Sequence, residues 1–271
     1  MLFRVFLWTT LGPRLSFAFL RSRPFSVRKS AMTTSQNMAY EVEEKFQLSE
    51  ASKVESRLKE LGFVPKKQAE FVDWYFDTEK NELSLQDCWL RFRGTSNVDG
   101  DWELKKAHGE STSTTVYEEI AGEEAISATK TILVERGCNI GEQRADDDNN
   151  FEAPPLPNFA SDLPLRAFCR LETKRSSWQL DKEWSTQTHA GLSVDLDVTN
   201  TGYSVGEVEM VVDDKDKIKD ANKRVQLLIA ELTKGSAPCE GPATGKLEQF
   251  LMIHRPNHYE DCLEAGVIKR R

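Results

Sequence analysis

From Tyr40 the chain alternates. In YEVEEKF, Val42, Glu44 and Phe46 share one face of a strand and Glu41, Glu43 and Lys45 the other, because strand side chains alternate with a period of two. The pattern recurs downstream. Arg91 and Arg93 flank Phe92, Glu103 and Lys105 flank Leu104, Asp195 and Asp197 flank Leu196, and Glu207 and Glu209 flank Val208. It predicts strands at Tyr40–Leu48, Phe71–Phe76 and Cys88–Phe92, in GDWELKKAHG and STTVYEEIAG, and in AFCRLETKRSSWQL, LSVDLDVT and YSVGEVEMVV. Helical spacing predicts three helices. The first has Ser52 and Glu55 at capping-box spacing, Val54, Leu58 and Leu61 on one face and Gly62 as a stop. The second spans Glu123–Glu135. The third spans Lys215–Leu232, with Val225, Leu228, Ile229 and Leu232 on one face and Asp213 and Asp214 at its positive end. A C-terminal segment starts near Lys246 and breaks at Pro256. The acidic, Pro-rich stretch 141–164 reads as a loop.

Turn-linked strands with few, separated helices indicate an α+β chain dominated by antiparallel sheet. Taken singly, each charged pair fits a solvated sheet face. Taken together they fit that reading poorly, because most pairs carry like charges within aromatic and β-branched strands. A closed antiparallel barrel resolves this: its apolar face points outward to the helices, and its charged face lines a polar lumen.

Composition narrows the setting. The 271 residues are 39% hydrophobic, enough for a real core, and carry a net charge of −8. Residues 1–40 hold six of the 36 bases (Arg4, Arg14, Arg21, Arg23, Arg28, Lys29) and no acid, so the remainder sets 30 bases against 44 acids. An acidic body argues against a nucleic-acid partner. No apolar run reaches bilayer length, so no membrane span is expected. Five cysteines (Cys88, Cys138, Cys169, Cys239, Cys262) without a CxxC suit isolated, reduced thiols. The arm, residues 1–38, reads as a targeting segment of mitochondrial type, with RPFS (Arg23–Ser26) as the cleavage site. A start at Met32 or Met38, giving a cytoplasmic protein, stays open beside it. Residues 39–271 then form one domain, expected to be monomeric.

The lumen would hold two sets of side chains. Glu41, Glu43, Asp195, Glu207 and Glu209 are hard oxygen ligands suited to Mg²⁺ or Mn²⁺. Lys45, Arg91, Arg93 and Lys105 suit a polyanion. Acids, bases and a divalent metal together are the chemistry of a phosphorylated substrate. Other features take ordinary readings. His254 and His258 have metal-pair spacing but are separated by Pro256 and read as surface residues. His108 reads as solvated, Asp146–Asp148 as a wet loop, Cys88 as a buried thiol, Trp102 and Trp178 as core, and Glu44 as surface.

EVEEK, DWYFDT, LSLQDCWLRFR, WELK, YEEI, TKRSSW, VDLDVTNTGYSVGEVE and GKLEQFL, in this order, resemble the CYTH or triphosphate tunnel metalloenzyme superfamily from Tyr40 to His254. Within it they look most like the vertebrate-type thiamine triphosphatases. The resemblance implies an eight-stranded tunnel with helices outside. It implies that Glu41, Glu43, Asp195, Glu207 and Glu209 hold Mg²⁺, and that Lys45, Arg91, Arg93, Lys105, Arg175 and Lys246 contact phosphate. It implies that Tyr75 assists Lys45 in activating water and that Trp89 stacks on a cationic heterocycle. Arg170 competes with Arg175 for its place, and Asp197 and Glu119 point the same way as the set. The expected reaction is Mg²⁺-dependent hydrolysis of thiamine triphosphate to the diphosphate and phosphate. The alternatives are an inorganic or nucleoside triphosphate hydrolase or a cyclase on the same tunnel, and a non-catalytic polyphosphate-binding module.

Overall fold

A computed structural model describes residues 39–108, 115–141, 152–184, 188–234 and 243–269. The arm, the expected cleavage site within it and Asp146–Asp148 lie outside the described residues. Eight strands, β1 (Tyr40–Gln47), β2 (Phe63–Asp77), β3 (Cys88–Gly94), β4 (Gly100–Ala107), β5 (Thr115–Ala121), β6 (Arg166–Leu180), β7 (Leu192–Thr199) and β8 (Ser204–Val212), close into a barrel. The strand order is β1-β5-β4-β3-β2-β6-β7-β8, and β8 pairs back to β1, every pairing antiparallel. The helices are α1 (Ala51–Glu60), α2 (Glu123–Glu135), α3 (Ile218–Leu232), α4 (Lys246–His254) and α5 (Pro256–Glu264). Among the described residues, no helix is long and apolar enough to cross a membrane.

Two of the three hydrophobic clusters among the described residues lie outside the barrel, where the sequence pattern sends the apolar face of each strand, and the third, around Tyr75 and Leu251, faces the cavity. Val42, Phe46, Val194, Leu196 and Val208 pack against Val54 and Leu58 of α1 and against Ala221, Val225, Leu228 and Leu232 of α3. Each fully buried Val, Leu or Phe among them contributes roughly 1.5–3 kcal/mol. On the other side, Trp74, Phe76, Leu90, Phe92, Trp102 and Leu104 pack against Ile126, Ile132 and Leu133 of α2. Trp102 and Trp178 are thus core side chains and Cys88 is buried, as expected. Phe46 lies across Gly206 of β8, where a Cβ would come within 2.1 Å of its ring.

Several expectations need correction. The Ser52 capping box does not form. The helix starts at Ala51 after Glu50, whose carbonyl takes the first N–H bonds, and Ser52 sits inside the first turn. β2 is 15 residues long rather than six, because its exposed first half is carried by the backbone ladder to β6. Residues 215–217 form a 3-10 turn before α3, with Asp214 accepting from the Asp216 N–H. Pro256 ends α4 by starting α5, so His254 and His258 sit on different helices. His258 is buried, not on the surface: its Nε2 lies 2.7 Å from Ser84 Oγ, and burial pulls its pKa down to about 4, leaving it neutral. His108 is half-buried against the Tyr40 ring, with centroids 5.1 Å apart. Glu44, on the outer strand face, is half-buried too.

Candidate functional site

The inward faces of the strands enclose a cavity of about 730 Å³, within the range of small-ligand sites. Its wall includes Glu41, Glu43, Lys45, Tyr75, Trp89, Arg91, Arg93, Lys105, Arg175, Glu207, Glu209 and Lys246. The sequence-predicted residues are thereby brought together in the wall, Asp195 and Asp197 excepted. Asp195 is buried behind Arg175, which pairs with it. Arg170 is on the opposite strand face from Arg175, paired with the exposed Glu172 at 2.6 Å and lying over Trp74. An odd sequence separation puts the two arginines on opposite sides of β6, so Arg175 is the one in the lumen.

The two charge sets are interleaved rather than opposed. Lys105 Nζ donates to Glu41 at 2.6 Å and Glu43 at 3.0 Å, and stands 3.2 Å from Glu119. Lys45 pairs with Glu43 and, at 3.0 Å, with Glu207, its strand partner. Burial works against the Lys45 ammonium, but Glu207 and Glu43 outweigh it and hold its pKa above the usual lysine range. Arg91 Nε donates to Glu103 at 2.7 Å. Asp197 receives Arg175 at 2.7 Å on both oxygens and is also paired with Lys246.

Asp73 was not expected. It is fully buried behind the arginines and accepts from Arg93 Nε at 2.6 Å and a terminal guanidinium nitrogen at 2.8 Å. Its signal was available: it shares a strand face with Tyr75, two residues away. Phe71 continues that face. Arg93 lies 4.3 Å from its ring centroid, Arg175 5.4 Å and Lys246 5.6 Å, so three cations surround one aromatic. α4 presents its N-terminal residues Gly245 and Lys246 to the cavity, an end that attracts anions.

On the acidic side, burial and a hydrogen bond to Glu41 push the Glu209 carboxyl up to about 8. Burial and Glu207 also raise Glu43. Burial works the same way on Glu207, but Lys45 and Lys105 outweigh it and hold that carboxyl low. Among the described residues, no three His, Cys, Asp or Glu side chains converge closely enough to hold a metal in this arrangement.

The Glu209 shift has a thermodynamic sign. Between its ordinary value of 4.5 and about 8, the folded state holds a proton that the unfolded state lacks, so stability falls as pH rises through that window. Glu209→Gln is therefore expected to flatten the decline in metal-free Tm between pH 5 and 8.5, and to raise Tm at pH 8.5 by a few degrees. Parallel Tm–pH curves for the two proteins would remove Glu209 from that role.

A closed antiparallel barrel with most of its core outside and an ionic lumen within is a β-tunnel, and that is the class this chain represents. The chain belongs to the CYTH domain family, whose model matches residues 39–237. A human thiamine-triphosphatase is 32% identical over 233 residues, covering 85% of this chain and 92% of its own length. A Macaca fascicularis thiamine-triphosphatase is 32% identical over 234 residues, with the same coverage. A solved Pyrococcus horikoshii structure aligns at TM-score 0.48 and 17% identity, over 78% of this chain and 98% of its own. That last similarity bears on neither substrate nor chemistry.

Proposed function

We propose that this chain is a metal-dependent hydrolase that converts thiamine triphosphate to thiamine diphosphate and phosphate. The coarser part, a triphosphatase of CYTH type, is supported by family membership and by the two thiamine-triphosphatase relatives. The observation that carries the finer reading is the inner face of β3, where Trp89 stands one strand step, about 6.8 Å, from Arg91 and two from Arg93. An aromatic platform beside paired guanidiniums fits a ring joined to a polyphosphate tail.

In this reading Arg91, Arg93, Arg175, Lys105 and Lys246 take the phosphate oxygens. Glu41, Glu43, Glu207 and Glu209 would hold Mg²⁺, with Mn²⁺ an acceptable substitute, and Asp195 joins them only where Arg175 releases it. The donor set fits a hard cation: it is all oxygen, and burial together with the neighbouring Glu41 raises the Glu209 carboxyl, a cost that a bound cation would offset. When bound, the ion neutralises phosphate charge in the transition state. Lys45, kept as an ammonium, donates to the attacking water or the terminal phosphate and does not take a proton. Burial likewise keeps the Tyr75 hydroxyl neutral, beside Arg91. Water attacks the terminal phosphorus, the bridging P–O bond breaks, and the water proton ends on the released phosphate.

The test is phosphate release by the full chain from thiamine triphosphate, ATP and inorganic triphosphate, with and without Mg²⁺. A Mg²⁺-requiring preference for thiamine triphosphate is expected. Equal rates on the three would defeat the thiamine assignment, and no release from any would favour a polyphosphate-binding module.

A further inference from the structure

The connection from β2 to β3 is built with unusual care. Asp77 is buried and accepts from the backbone N–H groups of Thr78, Leu83 and Ser84 at 2.7, 2.9 and 2.8 Å. Ser84 is also held by His258 of α5. The 3-10 turn Ser84–Gln86 then ends on Asp87, whose φ is +54°. A left-handed conformation is natural for glycine, tolerated by asparagine and aspartate, and costly for most other side chains. Here it carries an aspartate, and that aspartate lines the cavity.

Asp87 has two neighbours in the cavity wall. Trp89 Nε1 donates to its Oδ1 at 2.7 Å, and the Tyr117 hydroxyl approaches the same oxygen at 3.5 Å. Both contacts use one oxygen, so Oδ2 accepts from neither donor. The indole is fixed in orientation by this bond, and a carboxylate is kept in the cavity wall beside the indole. From Asp87 the inward positions along β3 therefore read acid, aromatic, base, base: Asp87, Trp89, Arg91, Arg93. A ligand matched to that order is cationic and flat at one end and polyanionic at the other.

We propose that Asp87 is a specificity-determining residue, which orients Trp89 and sets a carboxylate against the positive charge of a cationic heterocycle carrying the triphosphate. This rests on the thiamine reading above and deepens it. It states what the site rejects: nucleoside triphosphates, whose bases are neutral, stack on Trp89 without any return from the half-buried Asp87 carboxylate, which gains no new counter-charge from them. Tyr117 completes the wall by holding the same carboxylate oxygen.

The test compares wild type with Asp87→Asn in the full chain. Asparagine keeps the acceptor for Trp89 and tolerates the backbone, so it removes the charge alone. The ratio of kcat/KM for thiamine triphosphate to that for ATP is expected to fall about tenfold, chiefly through KM for thiamine triphosphate. A loss shared equally by both substrates, or an unchanged ratio, overturns the assignment. Thiamine itself supplies a second arm, since it carries the cationic ring without phosphate. Its quenching of tryptophan fluorescence should weaken by a similar factor in Asp87→Asn, and unaltered quenching overturns the proposal. If wild type shows no preference for thiamine triphosphate, the substrate reading fails on its own, and the thiamine arm still decides Asp87.

Discussion

Asp73→Ala is expected to destabilise the protein by roughly 3 kcal/mol and lower its Tm by about ten degrees. Asp73 is completely buried and holds Arg93 through two hydrogen bonds, with Arg91 4.0 Å away. Burial works to raise its carboxyl, but the Arg93 and Arg91 guanidiniums outweigh it and hold the pKa far below the usual 3.8. Removal leaves cationic groups in a closed lumen without their buried partner, which costs more than the pair itself contributes. The sign with pH follows from the lowered folded value. The stabilisation is present above pH 3.8 and is lost as pH falls below it. Urea unfolding at pH 7 and pH 3 checks both parts: the deficit of the variant should be full at pH 7 and smaller at pH 3. A variant as stable as wild type at pH 7 would show that the arginines do not depend on Asp73.

Lys45→Met is expected to lower kcat/KM for triphosphate hydrolysis by roughly 10²–10³-fold, the range for losing one oriented donor to developing charge. Lys45 bridges Glu43 and Glu207 across the β1–β8 seam. Methionine preserves much of the side-chain volume while removing the charge and its N–H donors. Lys105 remains to partner Glu43, so far-UV circular dichroism should be unchanged. Lys45→Arg distinguishes charge from position, and recovery of less than a tenth of the lost activity is expected there, because a planar fork does not replace a point donor. A methionine variant retaining a tenth or more of wild-type turnover would take Lys45 out of the chemistry.

The architecture was legible where sequence periodicity was clean. β7 and α2 fall on the residues that alternation and helical spacing predict, because each has one face committed to the core. The first half of β2 was not legible, since residues 64–70 are mostly solvent-exposed, include Pro65, and owe their strand state to backbone pairing with β6. The lumen was foreseeable from like-charged pairs, but its neutralisation was not. Asp73 stands among apolar neighbours and lacks a like-charged mate two residues away, so it escaped a search for pairs. Phe71 figured only as the start of a predicted strand, and the closed sheet shows three cations around its ring. Asp87 escaped for a different reason: it follows a turn, and only the folded chain shows that its carboxylate accepts from the Trp89 indole and lines the cavity.

The seam between β1 and β8 sets the order in which this chain can be finished. Tyr40 pairs with Val212 and Gln47 with Val205, so the first of the described strands to be synthesised waits for the last before both its sides are satisfied. In the interval it is an open edge with Val42 and Phe46 on its apolar face, a template for pairing with other chains. Contacts so distant in sequence form slowly. A ribosome stalled anywhere before Ser204 is therefore expected to display an unclosed, aggregation-prone sheet, and the helix that seals the seam, α3, emerges only afterwards.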